Sequence, residues 1–407
     1  MTSKPARVKG RWPLAGLLGL LAITALSDDH PIGGKAEVLL DGFRRGSFTN
    51  MHQIYPSRIV HRGGRVQPLR YAPQQLESLT YRHNGGEHAL QDYFERASVM
   101  GFLVLKDGAV VHESYHQGTT PQDRFVSWSM AKSVVSTLLG LAVADGHIDS
   151  PLDPAVKYVP QLAESGYGVN SIRDLLQMTS GVEFIEDYVS LDTLEAAAWF
   201  GAVINHERSY NSTVLWFDKR IAAPGTKFYY ASLEPQVVGW VIHDASGKTL
   251  SDYLSERIWQ HLGTEHDAFW VLDRPGGMEI GSCCISATLR DYARFGQMML
   301  NNGSANGKQL VPKAWVATAT RPDPERPFLH PGADSPRTSN MGYQHYWWLW
   351  PGEDQAYSAI GFGGQEIYIN PARQIVIVQT AAWGNDEAAT NRAENHAVFR
   401  ALVEQLD

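Results

Sequence analysis

The clearest apolar pattern is a pair of short runs with a turn between them. Residues 99–105, Val-Met-Gly-Phe-Leu-Val-Leu, are almost continuously apolar; Lys106-Asp107-Gly108 closes them, and Ala-Val-Val-His-Glu-Ser-Tyr follows over 109–115. Asp-Gly between two strand-like runs predicts a β-hairpin, because both residues tolerate the left-handed backbone of a tight turn. A longer apolar run at 134–142 predicts a helix over roughly residues 130–145. Helical patterns then dominate to residue 220, notably 171–178 and 192–203, which predicts a helical lobe inserted between parts of a sheet. Strand-like runs return at 346–350, 356–361, 365–369 and 374–380, divided by turn signals such as Pro351-Gly352 and Asn370-Pro371. Residues 386–405 predict a terminal helix, with Ala397, Val398, Leu402 and Val403 on its apolar face. Short sequential hairpins favour antiparallel pairing, since parallel neighbours need long crossovers.

Towards the N-terminus the pattern weakens. Residues 28–80 are punctuated by Gly33-Gly34, Gly42, Gly46 and His61-Arg62-Gly63-Gly64-Arg65, and predict an irregular extension over the surface without chemistry of its own. Ahead of it, Lys4, Arg7, Lys9 and Arg11 precede an apolar run over 12–25 that Leu26 continues. With Ser27-Asp28-Asp29 behind it, this segment reads as a bacterial export signal cleaved after Ser27, or as a buried N-terminal helix. It is short of the roughly 20 residues of a membrane span. The signal reading implies a periplasmic or secreted protein, the other a cytoplasmic one.

A chain of 407 residues with 43% hydrophobic composition can build a substantial core, as two lobes or as one domain with a large insertion. Its net charge of −8 does not favour a nucleic-acid binder, whose affinity rests on lysine and arginine neutralising phosphates. The two cysteines, Cys283 and Cys284, are adjacent and offer neither metal-finger spacing nor a disulfide framework; they read as small side chains packed near a turn. Among the fifteen histidines, His112-Glu113-Ser114-Tyr115-His116 has the His-Glu-x-x-His order, but it lies in a strand-like run and not on the helix that would bring both imidazoles to one metal. The pairs His83 with His88 and His112 with His116 read as solvated or locally hydrogen-bonded, so no metal is expected.

Chemistry enters at the start of the 130–145 helix. In Ser129-Met130-Ala131-Lys132, the i and i+3 side chains share one helix face, so a hydroxyl and an amine point to the same place. A neutral lysine could take the serine proton and make it a nucleophile, provided burial lowers the lysine pKa. The helix start also offers N–H groups to a developing oxyanion. Alone, this spacing is common on solvated helix faces.

Three further segments follow it: Gly146-His147-Ile148-Asp149-Ser150-Pro151-Leu152-Asp153-Pro154, Ser171-Ile172-Arg173-Asp174-Leu175-Leu176-Gln177-Met178-Thr179-Ser180-Gly181, and Pro224-Gly225-Thr226-Lys227-Phe228-Tyr229-Tyr230-Ala231-Ser232. In this order they resemble the β-lactamase-related serine hydrolases, a group that includes penicillin-binding proteins and class C-like esterases. Glu186-Asp187-Tyr188-Val189 and Gly361-Phe362-Gly363-Gly364-Gln365 look most like the 6-aminohexanoate-dimer hydrolases, which cleave linear amides. The resemblance runs from about residue 50 to 405. It implies an α+β fold of the β-lactamase/transpeptidase type: a predominantly antiparallel sheet flanked by helices, over residues 81–405, with a mainly helical lobe around 145–335. The first hairpin would join the last strands in one sheet.

The resemblance also implies roles. Tyr230 matches the tyrosine that relays a proton to the leaving group beside Ser129 and Lys132. Ser232 stands where many relatives have asparagine and could position lysine or substrate, or make only a local turn bond. The third family motif falls on Ala359-Ile360-Gly361 followed by Phe362, or on Phe362-Gly363-Gly364; in either register the usual cation and hydroxyl are missing. The backbone N–H groups of Ser129 and Phe362 would form the oxyanion hole, with Gly361 and Ser232 beside the substrate. Tyr188 matches a tyrosine that hydrogen-bonds the scissile nitrogen region, while Glu186 and Asp187 read as solvated loop acids. The activity implied is hydrolysis of a small linear amide or ester through an acyl-enzyme, without a cofactor. An esterase, a β-lactamase-like enzyme and a noncatalytic binding module on the same fold are the alternatives. No obligatory protein partner is evident, and a homodimer is compatible with the reading.

Overall fold

The computed structural model describes residues 31–76, 78–184, 186, 199–333, 340–384 and 388–407. The signal-like segment 1–27, Asp187, Tyr188 and most of the helical pattern at 192–203 lie outside them. The strands in chain order are β1 (Ser57–Val60), β2 (Arg70–Tyr71), β3 (Thr80–His83), β4 (Gly86–Ala89), β5 (Val99–Lys106), β6 (Ala109–Tyr115), β7 (Phe125–Val126), β8 (Ala268–Val271), β9 (Ile285–Ala287), β10 (Ser304–Ala305), β11 (Lys308–Gln309), β12 (Gly342–Gln344), β13 (Trp347–Leu349), β14 (Tyr357–Ile360), β15 (Glu366–Asn370) and β16 (Ile375–Ala381). The helices are α1 (Arg44–Ile54), α2 (Leu90–Arg96), α3 (Met130–Ala144), α4 (Ile172–Leu176), α5 (Tyr210–Val214), α6 (Leu233–Ser246), α7 (Leu250–Arg257), α8 (Leu289–Leu300), α9 (Lys313–Thr320) and α10 (Ala388–Gln405).

The fold is α+β. Eight strands form one sheet in the order β12-β13-β14-β15-β16-β5-β6-β2, antiparallel throughout except where β2 runs parallel to β6. The first hairpin turns at Asp107 and Gly108, both at positive φ, and its strand β5 pairs with β16, so early and late strands share a sheet. Val376 and Val378 of β16 enter one core, with Leu103 and Leu105 of β5; Ile375 and Ile377 enter a second core, with Val104, Tyr93 of α2 and Phe399 of α10. Burial on both faces explains why these strands read as nearly continuous apolar runs rather than as an alternation.

Helix α3 is buried almost all round, from Met130 to Ala142, and so lies inside the molecule rather than on it. At Gly140 a Cβ would come within 2.3 Å of the Trp315 ring, and Trp315 Nε1 donates to the Ser136 carbonyl at 3.1 Å. Helix α4 starts at a reciprocal capping pair, in which Ser171 and Asp174 each accept the other's backbone N–H.

Two features depart from the sequence reading. The stretch 28–80 contains the 11-residue helix α1, with Phe48 fully buried. The span 145–335 also holds β8 and β9, which join β1 and β7 in a second, four-stranded antiparallel sheet. Strands of two to four residues offer too few alternations to stand out from loops.

Candidate active site

Ser129 is the N-cap of α3, and the residue before it, Trp128, has φ +44°. A bulky side chain in the left-handed region is held by its surroundings. Ser127 supplies part of that hold: its N–H donates to the Ile285 carbonyl at 2.6 Å, its Oγ accepts from the Ile285 N–H at 2.9 Å, and its hydroxyl donates to the Trp128 carbonyl at 3.0 Å. The Trp128 ring packs edge-on against Phe48 at 5.3 Å and Phe362 at 5.4 Å. Helix α1 therefore braces the serine turn from outside.

Lys132 is 1% exposed. Its Nζ lies 2.7 Å from Ser129 Oγ and 3.0 Å from the Ser282 carbonyl oxygen, which it bonds. Burial pushes its pKa down to about 8, against an opposing pull from the Glu186 carboxylate. The amine sits 4.9 Å from the centroid of the Tyr230 ring.

Tyr230 reaches the site on an extended segment that the Met178 region holds: the Tyr229 N–H donates to the Met178 carbonyl at 2.8 Å, and the Ala231 N–H to Met178 Sδ at 3.4 Å. Phe228 and Tyr230, two residues apart, share one face of it. Tyr230 stacks on Trp348 at 5.9 Å, and both rings meet Tyr343, forming an aromatic wall beside the lysine. Neither Trp348 nor Tyr343 stands out in the sequence, where aromatics at a strand pair read as core.

Ser232 makes a long-range contact rather than a local turn bond. Its N–H donates to Glu186 Oε2 at 2.6 Å and its hydroxyl to Oε1 at 2.9 Å. Glu186, read in the sequence as a solvated loop acid, is only 6% exposed, because these two donors substitute for water. Its position two residues ahead of Tyr188 was the available signal.

Gly361 follows β14 and comes against the serine turn: a Cβ on it would lie 2.3 Å from the Ser127 carbonyl oxygen and 3.2 Å from the Ser129 nitrogen. Phe362 begins the short turn Phe362–Gly364, in which Gly363 has φ +69°. Of the two registers for the third motif, Ala359-Ile360-Gly361 is the one whose glycine abuts Ser129.

Cys283 and Cys284 correct the sequence reading: they are joined in a disulfide between neighbouring residues, directly after Ser282. Adjacent cysteines enclose no loop, so they give no framework signal, and their pairing here goes with Cys284 at φ +77°. His112 and His116 both meet Ser114 Oγ, at 3.0 and 2.9 Å, and His88 Nε2 lies 3.2 Å from the His83 carbonyl oxygen. Among the described residues no group of three His, Cys, Asp or Glu could hold a metal ion. A cavity of about 610 Å3 lined by Arg173, Asp323 and His345 includes none of Ser129, Lys132 or Tyr230, so the site is recognised by its hydrogen bonds and not by its volume.

The chain is similar to known proteins over most of its length. The chain is 29% identical over 375 residues to the 6-aminohexanoate-dimer hydrolase of Paenarthrobacter ureafaciens, covering 87% of this chain and 90% of that protein. A Bacillus anthracis structure assigned as a 6-aminohexanoate-dimer hydrolase superposes with a TM-score of 0.80 at 25% identity, covering 94% of this chain and 99% of the other. A family VIII carboxylesterase shares the fold at a TM-score of 0.55 and 15% identity, over 76% of this chain and 95% of its own. The β-lactamase family model matches residues 87–400, and the chain belongs to that family of serine hydrolases.

Proposed function

We propose that this chain hydrolyses small linear amides or esters through an acyl-enzyme on Ser129, in the manner of a 6-aminohexanoate-dimer hydrolase. The observation that carries the reading is a buried lysine, its pKa pushed down to about 8, with Nζ 2.7 Å from a serine hydroxyl at a helix start. Neutral Lys132 takes the Ser129 proton as Oγ attacks the substrate carbonyl carbon. The N–H groups of Ser129 and Phe362 receive the charge that develops on the carbonyl oxygen. As the tetrahedral intermediate collapses, the C–N or C–O bond breaks and the proton passes from Lys132 through Tyr230 to the leaving group. Water then opens the Ser129 ester by the reverse sequence. No cofactor is needed.

Substrate class follows from what surrounds these groups. In the register Ala359-Ile360-Gly361 an alanine and an isoleucine stand where a lysine or histidine and a hydroxyl would meet a β-lactam or peptidoglycan carboxylate, which disfavours those substrates. The wall of Tyr230, Trp348 and Tyr343 suits an uncharged alkyl chain. The name of the Paenarthrobacter relative supplies the amide class, and the match at Glu186-Asp187-Tyr188 supports a role for Tyr188 at the scissile nitrogen region. Export to the periplasm or beyond is proposed if residues 1–27 act as a signal. The reading is tested by product formation from a linear 6-aminohexanoyl dimer, short-chain p-nitrophenyl esters and a chromogenic β-lactam, by wild type and by Ser129→Ala. Amide cleavage that disappears in the variant supports the assignment. Cleavage confined to esters moves it to an esterase, and activity retained by Ser129→Ala removes the proposed nucleophile.

A further inference from the structure

We propose that Arg392, held by Glu366, is a positioning residue that fixes the Gly361–Phe362 peptide and so aims the Phe362 N–H at the reaction centre; this rests on the hydrolase reading above. A trans peptide carries its C=O and the following N–H on opposite sides. Whatever holds the Gly361 carbonyl therefore decides where the Phe362 N–H points. Arg392 Nη2 donates to that carbonyl at 3.1 Å, from the side of α10. The opposite side of Gly361 faces the nucleophile, where a Cβ would stand 3.2 Å from the Ser129 nitrogen. Were this peptide to flip, an acceptor oxygen would stand where the oxyanion needs a donor.

The guanidinium is itself fixed. Arg392 Nη1 donates to Glu366 Oε2 at 2.7 Å, on β15, and Glu366 is fully buried. Asn395 Nδ2, one turn along α10, donates to the same oxygen at 2.9 Å. The guanidinium also lies over the Trp383 ring, 5.0 Å from its centroid. The other end of the glycine is tied as well, its N–H donating to the Gln365 carbonyl at 2.8 Å. A planar fork that spans a carboxylate and a carbonyl is a task for arginine rather than lysine. A cation bonded to a peptide carbonyl also polarises the amide, which strengthens the N–H on its far side as a donor. The terminal helix thus reaches the catalytic centre through one side chain, although it contributes no group to the reaction itself.

The test uses the full chain and three variants, Arg392→Met, Arg392→Lys and Glu366→Gln. Substrate is p-nitrophenyl butyrate, and butylboronic acid is the probe that forms a tetrahedral adduct on a serine. Arg392→Met is expected to lower kcat by about tenfold to a hundredfold, against the roughly hundredfold to thousandfold loss on deleting an oxyanion donor outright, with KM little changed. Boronate affinity should fall by a comparable factor, with partial recovery in Arg392→Lys and an intermediate loss in Glu366→Gln. A merely structural role would lower thermal stability and leave kcat and boronate affinity of the folded protein alone. Wild-type values of both in Arg392→Met overturn the proposal, and if that variant does not fold, wild-type values in Glu366→Gln do so. A wild-type protein that forms no boronate adduct and shows no Ser129-dependent turnover overturns the hydrolase reading, and the positioning role with it.

Discussion

Lys132 answers to two opposed demands. Taking a proton from Ser129 requires the neutral amine, and burial supplies it by pushing the pKa from 10.5 to about 8. The acid limb of kcat/KM should then report this group: activity rises with pH and levels off above about pH 8. A flat profile from pH 6 to 9 would remove Lys132 as the base. Glu186 pulls the other way, since its carboxylate favours the ammonium. Glu186→Gln should move the acid limb to lower pH, while the lost anchor for Ser232 lowers the plateau; an unmoved limb would leave Glu186 a purely structural part. The same burial costs stability. A lysine whose folded pKa lies below its unfolded one opposes folding fully below about pH 8, and the penalty is relieved as pH rises through 8 towards 10.5. Lys132→Met is therefore expected to be more stable than wild type at pH 7, by up to about 3 kcal/mol and with a higher melting temperature, the gap closing by pH 10. Equal melting at pH 7 would contradict the buried cation.

At the scale of elements, three pieces of secondary structure converge on the serine turn. Helix α1 presses Phe48 against Trp128 and also meets Gly363, whose Cβ would lie 2.6 Å from the Phe48 ring. The end of β14 abuts Ser129 through Gly361, and α10 holds the carbonyl of that glycine. Phe48→Ala is expected to cost about 3–5 kcal/mol, because the ring is fully buried. It should also lower turnover in the remaining folded protein, since Trp128 loses its support; full specific activity at 25 °C would show that α1 only packs. Gly361→Ala has no room beside the Ser127 carbonyl, so β14 or the turn must shift. A loss of turnover of about tenfold or more is expected with the fold retained, and a fully active variant would contradict the close approach.

For the whole molecule, legibility followed distance along the chain. Ser129 and Lys132 were readable because three residues of helix bring them together, and the hairpin at Asp107-Gly108 because its turn chemistry is local. Tyr230 came only from the resemblance, since nothing in a Phe-Tyr-Tyr run tells a relay from a packing ring. Arg392 carries no signal in the sequence, and Glu186 only its place ahead of Tyr188, because each bonds a partner that the tertiary fold brings near, the Gly361 carbonyl and Ser232. The same holds for Trp348, which meets Tyr230 across more than a hundred residues of chain. The four-stranded sheet leaves no sequence signal because its strands are too short to show a period, and the Cys283–Cys284 pair none because adjacent cysteines enclose no loop. The fold thus gathers a locally encoded serine and lysine with groups from distant parts of the chain.

The most direct test is intact-protein mass spectrometry after treatment with a fluorophosphonate, followed by peptide mapping, on wild type, Ser129→Ala and Lys132→Ala. A buried lysine activating Ser129 predicts one adduct per chain, on Ser129, absent from Ser129→Ala and slowed by orders of magnitude in Lys132→Ala. No adduct on wild type, an adduct on another serine, or wild-type labelling of Lys132→Ala would contradict it.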